Sequence, residues 1–266
     1  MINIVKKTFK QSWKSFAVYA FVIFWYGLLI VAIYPSMQKT MGNVSDFYSQ
    51  MPKEFLDAFG GIDTMMNSFD SYIALEYLSI MWPLMMIAMI VAFVTRHVTK
   101  EIETGTMELL LSQPVSRTKV FISKMVVIVS EVIGMVAVTI GSLSAFAAIF
   151  NIEFSGKGMI FLGLSAIPFY LAVVGITFLF SAMFKDRGRA LAASIGVIIG
   201  MYAINIIANI KKSLKDIDYV TLWHYYRPQE VLKNASLNWF PDVTVLLLVG
   251  AATFIVGWLI FRRKDI

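Results

Sequence analysis

Two carboxylates, Glu76 and Glu131, lie inside long apolar stretches of this 266-residue chain. A charged group in such a setting is costly unless it is paired, protonated or facing water, so both are candidates for buried function. One interpretation is a polar contact on a substrate path. The alternatives are a hydrogen bond between helices for Glu131 and a carboxylate at the outer interface for Glu76.

The other residues that could do chemistry form no catalytic or metal-binding pattern. The chain has no cysteine, and His97 and His224 are its only histidines. It contains no Gly-x4-Gly-Lys-Ser/Thr loop to hold phosphates, no Gly-x-Ser-x-Gly and no His-Glu-x-x-His. We therefore expect neither enzymatic activity nor a metal site in this chain. His97, which follows Arg96, is predicted to lie at the level of lipid headgroups.

The composition indicates an integral membrane protein. Hydrophobic residues make up 58% of the chain and charged residues only 15%, whereas soluble domains are about 45–50% apolar. The apolar runs reach about 20 residues, the length of a membrane-spanning helix rather than of a barrel strand. The predicted fold is all-α, with a single transmembrane domain over residues 1–266.

Six segments are predicted to span the membrane. We expect Pro35 to end the first span and Pro83 and Pro168 to kink the second and fourth. Asn205 and Asn209 share one side of the fifth span and are further candidates for a substrate path. A short helix is also predicted in the first loop, from Pro52 to Phe59. The spans cover residues 16–34, 71–95, 120–150, 159–184, 190–210 and 243–261.

Glycines in two spans are placed for close helix packing, at Gly134 and Gly141 and at Gly196 and Gly200. Before the first span, residues 1–15 predict an amphipathic helix lying in the membrane interface. The alternative for that segment, a signal peptide, lacks a short apolar region and a small-residue cleavage site. The helix carries an apolar stripe of Ile2, Val5, Phe9, Trp13 and Phe16.

The distribution of Lys and Arg predicts the orientation. Six spans place both termini on one side, and fifteen of the 23 basic residues fall on that side. Because basic loops stay in the cytoplasm, both termini are predicted to be cytoplasmic. The net charge of +6 is thereby explained without nucleic acid. The fifteen are Lys6, Lys7, Lys10, Lys14, Arg96, Lys100, Arg117, Lys119, Lys124, Lys185, Arg187, Arg189, Arg262, Arg263 and Lys264.

The segment from Glu101 to Arg117, between the second and third spans, is too polar to lie in lipid. Gly105 is a poor residue for a helix interior, and Thr106 can cap a short helix that follows it. Leu109, Leu110 and Leu111 would form the apolar side of that helix. Pro114 stops it, and Ser116 can cap the next helix. The sequence therefore predicts a short helix across the membrane surface, with an ordinary loop as the alternative.

At these residues the chain resembles the type-2 ABC exporter permeases. The resemblance rests on Glu103-x-Gly105-Thr106-x-Glu108-Leu109-Leu110-x-Ser112-x-Pro114-Val115-Ser116-Arg117. It extends to the basic N-terminus, the number of spans and the last outer loop. In this family the first segment is an elbow helix, and the short polar segment is a coupling helix that a separate cytosolic ATPase presses upon.

The resemblance implies specific roles in this chain. Glu101, Glu103 and Glu108 would meet basic or polar groups of the ATPase, and Gly105 would permit a sharp turn. Arg117 would anchor the far end to headgroups or to the elbow helix. ATP and Mg would be bound by the partner ATPase and not by this chain.

The function that follows is a permease subunit of an ATP-driven exporter in the plasma membrane of a prokaryote. It would move a hydrophobic or amphipathic molecule, such as a peptide, lipid or drug, out of the cytoplasm. Six helices are few for a complete path, so a second copy or a similar permease is expected, surrounded by membrane lipid. A passive channel and a membrane scaffold or immunity protein without an ATPase are the open alternatives.

Overall fold

A computed structural model of the chain describes the backbone of residues 2–49 and 68–264, and the side chains of those residues other than 38–49 and 212. The described residues form helices and no strand. The predicted all-α fold with six spans is confirmed, whereas the helix predicted from Pro52 to Phe59 lies outside the described residues. The six candidate spans are Ile2–Met37, Phe69–Glu103, Arg117–Ile149, Gly156–Met183, Arg187–Ile210 and Trp239–Arg263.

Shorter helices connect the long ones and complete the described part of the chain. Two π-helices cover Ala74–Leu78 and Trp239–Val243, and two 3-10 helices cover Lys212–Val220 and Trp223–Tyr225. The α-helices are α1 (Ile2–Ser49), α2 (Phe69–Ile73), α3 (Met81–His97), α4 (Thr99–Glu103), α5 (Thr106–Leu111), α6 (Arg117–Ile149), α7 (Gly156–Met183), α8 (Arg187–Ile210), α9 (Pro228–Asn234) and α10 (Thr244–Arg263).

Helix α1 runs without a break through two boundaries that the sequence predicts. The expected separate helix over residues 1–15 is instead the beginning of α1, and Pro35 lies inside the helix rather than ending it. A proline removes one backbone N–H but has a φ that suits a helix, and membrane helices tolerate it where neighbouring groups compensate. The basic start and the first span therefore form one rod.

The side of this rod that faces the protein is polar at its N-terminal end. Thr8 and Ser12 are buried, whereas Phe9 and Trp13 of the predicted apolar stripe are 46% and 56% exposed. Small residues let α1 approach α6 closely, with which it makes its most extensive contact. Phe9 and Trp13 are consequently left free to contact lipid, whereas Phe16 of the same stripe packs partly against the core.

The second span is interrupted just before Pro83. The π-helix Ala74–Leu78 leads to a break at Ile80, where φ is −125° and ψ is −65°. Pro83 has no N–H to donate to the carbonyl of Ser79, four residues earlier, so a regular helix cannot continue through this point. On the other side of the break, the Ser79 hydroxyl donates a hydrogen bond to Ala74 O in the π-helix, at 2.6 Å.

The closest approach of two long helices joins α7 to α10 through glycines. A Cβ on Gly175 would lie 2.4 Å from Gly250 O, and a Cβ on Gly257 would lie 3.0 Å from Leu179 Cα. Neither distance leaves room for a side chain, so the two backbones are in contact. Helix α7 is the centre of the bundle, with most of its residues buried.

The glycines that the sequence predicts to lie at close helix contacts have more space around them than Gly175 and Gly257. A Cβ on Gly141, Gly196 or Gly200 would meet nothing within 4 Å among the described residues, and one on Gly134 would lie at an ordinary 3.6 Å from Phe16 Cζ. The close packing predicted at Gly196 and Gly200 is therefore not made among the described residues. Helix α8, which carries both, is largely exposed.

We expect Gly175→Ala to destabilise the bundle by about 1–3 kcal/mol, because an added methyl forces the two backbones apart. Gly200→Ala is the matched control, since it adds the same atom in open space and removes the flexibility of glycine. The melting temperature of the detergent-solubilised chain should fall for the first variant and stay level or rise slightly for the second. Equal melting temperatures would contradict the proposed packing role of Gly175.

Candidate functional site

The polar segment between the second and third spans forms two short helices joined at Gly105. Gly105 has a φ of 70°, and its N–H donates to Ile102 O at 3.1 Å. This left-handed conformation is strained for residues with a side chain and open to glycine. The turn sends α5 away from α4, as the sequence predicts, but the residue at the cap is Gly105 and not Thr106. Thr106 Oγ1 donates to Glu101 O instead, at 3.2 Å.

One side of α5 is docked on the protein and the other is exposed. Met107 is fully buried, while Leu109 is 71% exposed and so lies on the opposite side from the one predicted. Leu110 and Leu111 pack partly against the core. The spacing of 107, 110 and 111 is that of one helix face, so the sequence carried this signal.

The N-terminal part of the segment is held by a buried lysine of α6. Lys124 is 1% exposed, and its ammonium group lies 2.7 Å from Glu101 Oε2 and 2.5 Å from His97 O. Glu101 therefore points into the chain rather than outward to a partner, whereas Glu103 and Glu108 are exposed. Lys124 links the end of α3, the helix α4 and the third span at one point.

The sequence alone assigns Lys124 to the basic residues of the membrane surface, and the structure buries it instead. It lies on the same helix face as Val120 and Phe121, both of which are fully buried. His97 also differs from its prediction at headgroup level, since it is only 2% exposed. Among the described residues, its Nε2 has no hydrogen-bond partner.

The C-terminal end of the segment is held by the last residues of the chain. Arg117 donates to Lys264 O, a partner that the sequence does not predict. Lys264 Nζ in turn donates to Ala182 O at 2.8 Å and to Phe184 O at 2.6 Å. Burial, and secondarily the nearby Lys185, lower the pKa of Lys264 to about 8. The start of α6 and the ends of α7 and α10 thus meet.

The four candidate residues for a substrate path fall into separate places. Glu131 is 2% exposed and accepts a hydrogen bond from Ser12, which is the inter-helix bond given as one interpretation. Glu76 is half-buried. Asn205 and Asn209 line one cavity of about 500 Å³, which neither glutamate reaches.

Asp218 and His224 complete the surroundings of Asn205 and were not identified from the sequence. Asn205 Nδ2 donates to Asp218 Oδ1 at 2.7 Å, and His224 Nδ1 lies 2.7 Å from Asp218 Oδ2. Asn205 belongs to α8, and the other two residues belong to the two 3-10 helices that follow it. No group of three His, Cys, Asp or Glu side chains suited to a metal occurs in the described parts of the chain.

A family model described as ABC-2 family transporter protein matches residues 2–266. The chain belongs to this family. It is a multi-pass membrane permease of the ABC-2 type, a family that typically lacks its own ATPase domain and pairs with ABC ATPase subunits. The predicted resemblance is thereby confirmed over nearly the whole chain. No curated protein matches it.

For this ABC-2 permease, we expect Lys124→Met to lower stability by about 3 kcal/mol. That is the lower end of the range for breaking a buried ion pair, because Glu101 is 20% exposed. Lys119→Met, which removes an exposed cation from the same helix, should change the melting temperature little. If Lys124→Met and Lys119→Met had the same melting temperature, the buried contact of Lys124 would contribute nothing to stability.

The contact between Ser12 and Glu131 gives a second test. Ser12→Ala should lower stability by about 1–2 kcal/mol, because it leaves a buried carboxyl without its donor. Ser130→Ala is the control, since Ser130 is exposed and bonds only within its own helix, to Val126 O. Thermal unfolding of both variants in the same detergent separates the two outcomes, and equal losses would argue against the inter-helix bond.

Proposed function

We propose that this ABC-2 permease is the membrane-spanning half of an ATP-driven exporter, and that α5 is its coupling helix. The observation that carries the proposal is a short helix docked by Met107 and exposed at Glu108 and Leu109. A separate ATPase, which binds ATP and Mg, would contact that exposed side together with Glu103. Gly105 and Pro114 set where the helix begins and ends.

The contacts at the two ends of the segment support a mechanical role. A push on α5 would be passed through α4 to Lys124, and from there to α6 and to the end of α3. At the other end, Arg117 joins the segment to the C-terminal residues. A segment held at both ends transmits a displacement, whereas a loose loop would absorb it.

A second permease, identical or similar, is part of the proposal. Helix α8 supports it, because Gly196 and Gly200 present open backbone on a largely exposed helix of the bundle. Small residues spaced by four are suited to close contact between membrane helices. If α8 contacts a second copy of the chain, a cysteine that replaces Gly200 should form a disulfide between the two copies. If α8 faces lipid instead, no cross-link should form.

We place α5 and both termini in the cytoplasm of a prokaryotic cell, with transport directed outward across the plasma membrane. The basic residues around α5 and at both termini support this orientation. An amphipathic or hydrophobic cargo is proposed because the chain is rich in Met and Phe, whose side chains adapt to varied apolar shapes.

The test is a gentle-detergent purification of the tagged full chain from its native membranes. We expect a stoichiometric cytosolic protein carrying a phosphate-binding loop, with ATP hydrolysis that the permease stimulates. Gly105→Val should reduce that stimulation about tenfold while membrane insertion is unchanged. The reason is that a left-handed conformation costs a residue with a side chain roughly 1–2 kcal/mol.

Gly105→Asn is the matched variant, because asparagine tolerates the left-handed region. It should retain most of the stimulation that Gly105→Val loses. A chain that purifies without an ATPase in several mild detergents, yet conducts ions in a bilayer, would replace the exporter proposal with the channel.

A further inference from the structure

The cavity beside Asn205 and Asn209 lies at the end of the bundle opposite the coupling segment. Helix α8 begins at Arg187, whose N–H faces Glu103 near α5 at 3.4 Å. Asn209 is 22 residues further along, or about 33 Å at the rise of an α-helix. The cavity of about 500 Å³ is therefore remote from the ATPase contact. Its size falls within the range of small-molecule sites.

Its acidic groups are already occupied by donors of the protein itself. Asp218 accepts from Asn205, from Thr221 Oγ1 at 3.1 Å and from His224 Nδ1. Glu230 accepts from Arg227 Nη1 at 3.3 Å. These bonds use the oxygens of Asp218 without removing its charge, and the charge of Glu230 is balanced by Arg227.

The arrangement of His224 follows from its neighbours. Arg227 Nη2 lies 3.2 Å from His224 Nε2, and a guanidinium group can only donate. His224 Nε2 therefore accepts, and Nδ1 carries the proton that is donated to Asp218. Arg227 Nε also donates to His224 O, at 2.8 Å. Three of the five N–H groups of Arg227 are thus used, which leaves two.

Unused donors remain in the lining of the cavity. Across residues 2–49 and 68–264, neither the Lys215 ammonium group nor the Asn209 amide has a hydrogen-bond partner, and both are exposed. Together with the two free N–H groups of Arg227, they suit an oxygen-rich anion such as a carboxylate or a phosphate. Among the described residues that line the cavity, Lys215 is the charged side chain without a partner, because Arg227 pairs with Glu230 and Asp218 is held by three donors.

Part of the wall beside these donors is apolar. Leu75 and Ile80 contribute from the second span, Ile206 from α8, and Trp223 from the loop that follows. An apolar body would be sheltered here while its anionic end meets the donors. Ile80, where the backbone of the second span is interrupted, lines the cavity with its side chain.

We propose that this cavity binds an amphipathic anion, whose charged end is held by Lys215, Asn209 and Arg227 and whose apolar part lies against Trp223. The site stands on the cavity alone and does not depend on the assignment of an ATPase. The ligand is either a membrane lipid with an anionic headgroup or a free single-chain amphiphile, since the recognised chemistry is the same.

The test uses 12-bromododecanoate, an anionic amphiphile whose bromine quenches tryptophan fluorescence, with the full chain in a neutral detergent. We expect saturable quenching that disappears in Trp223→Phe. Lys215→Met and Asn209→Leu should each weaken binding, with about a tenfold loss for the lysine. Lys211→Met removes an exposed cation one helical turn away that does not line the cavity, so it should bind as the unmodified chain does.

Neutral 12-bromododecanol should bind at least tenfold more weakly than the carboxylate. Exposed tryptophans such as Trp13 and Trp25 are quenched without saturation by the amphiphile in the micelle. Equal binding of the alcohol, equal binding by Lys215→Met and by Lys211→Met, or a saturable component of quenching that persists without Trp223 would each overturn the proposal. Native mass spectrometry then separates the sources. A retained phospholipid that 12-bromododecanoate displaces identifies a lipid headgroup, whereas saturable binding to a lipid-free chain identifies a free amphiphile.

Discussion

A backbone carbonyl that loses its helical partner inside a membrane must find another donor, because the surrounding hydrocarbon offers none. In this permease, long side chains provide those donors where spans end or break. Lys124 donates to His97 O at the end of α3, Lys264 donates to Ala182 O and Phe184 O at the end of α7, and the Tyr226 hydroxyl donates to Leu78 O beside the break in the second span. Each donor comes from a different segment, so satisfying a helix end also ties two parts of the chain together.

The tie at Lys124 has the largest consequence, because it combines a backbone bond with an ion pair to Glu101. Separating a buried ammonium group from its only carboxylate costs about 3–5 kcal/mol, several times the typical contribution of one neutral hydrogen bond. A displacement of α4 is therefore accommodated more easily by moving α6 with it than by opening the contact. Burying the lysine contributes little net stability, but it makes the connection between the segment Glu101–Arg117 and the third span stiff.

Much of this architecture could be predicted, since long apolar runs and a capped short helix are local properties of the sequence. The spans, the turn at Gly105 and the cap at Ser116 all follow from residues within a few positions of one another. What could not be predicted depends on partners distant in the chain. Lys124 resembles a surface cation until His97 O and Glu101 lie beside it, and Gly175 is ordinary until Gly250 faces it. The continuity of α1 through Pro35 likewise rests on neighbours that a linear pattern does not show.

Helix α8 extends from the segment Glu101–Arg117 at one end to the cavity beside Asn205 and Asn209 at the other. Glu103 lies against the start of this helix, and Asn205 near its other end bonds Asp218 in the cavity wall. Most of α8 is exposed, whereas α7 is locked to α10 by contact between backbones. A movement of α8 relative to the second span would thus disturb few core contacts, yet it would shift one wall of the cavity against Leu75 and Ile80 on the other.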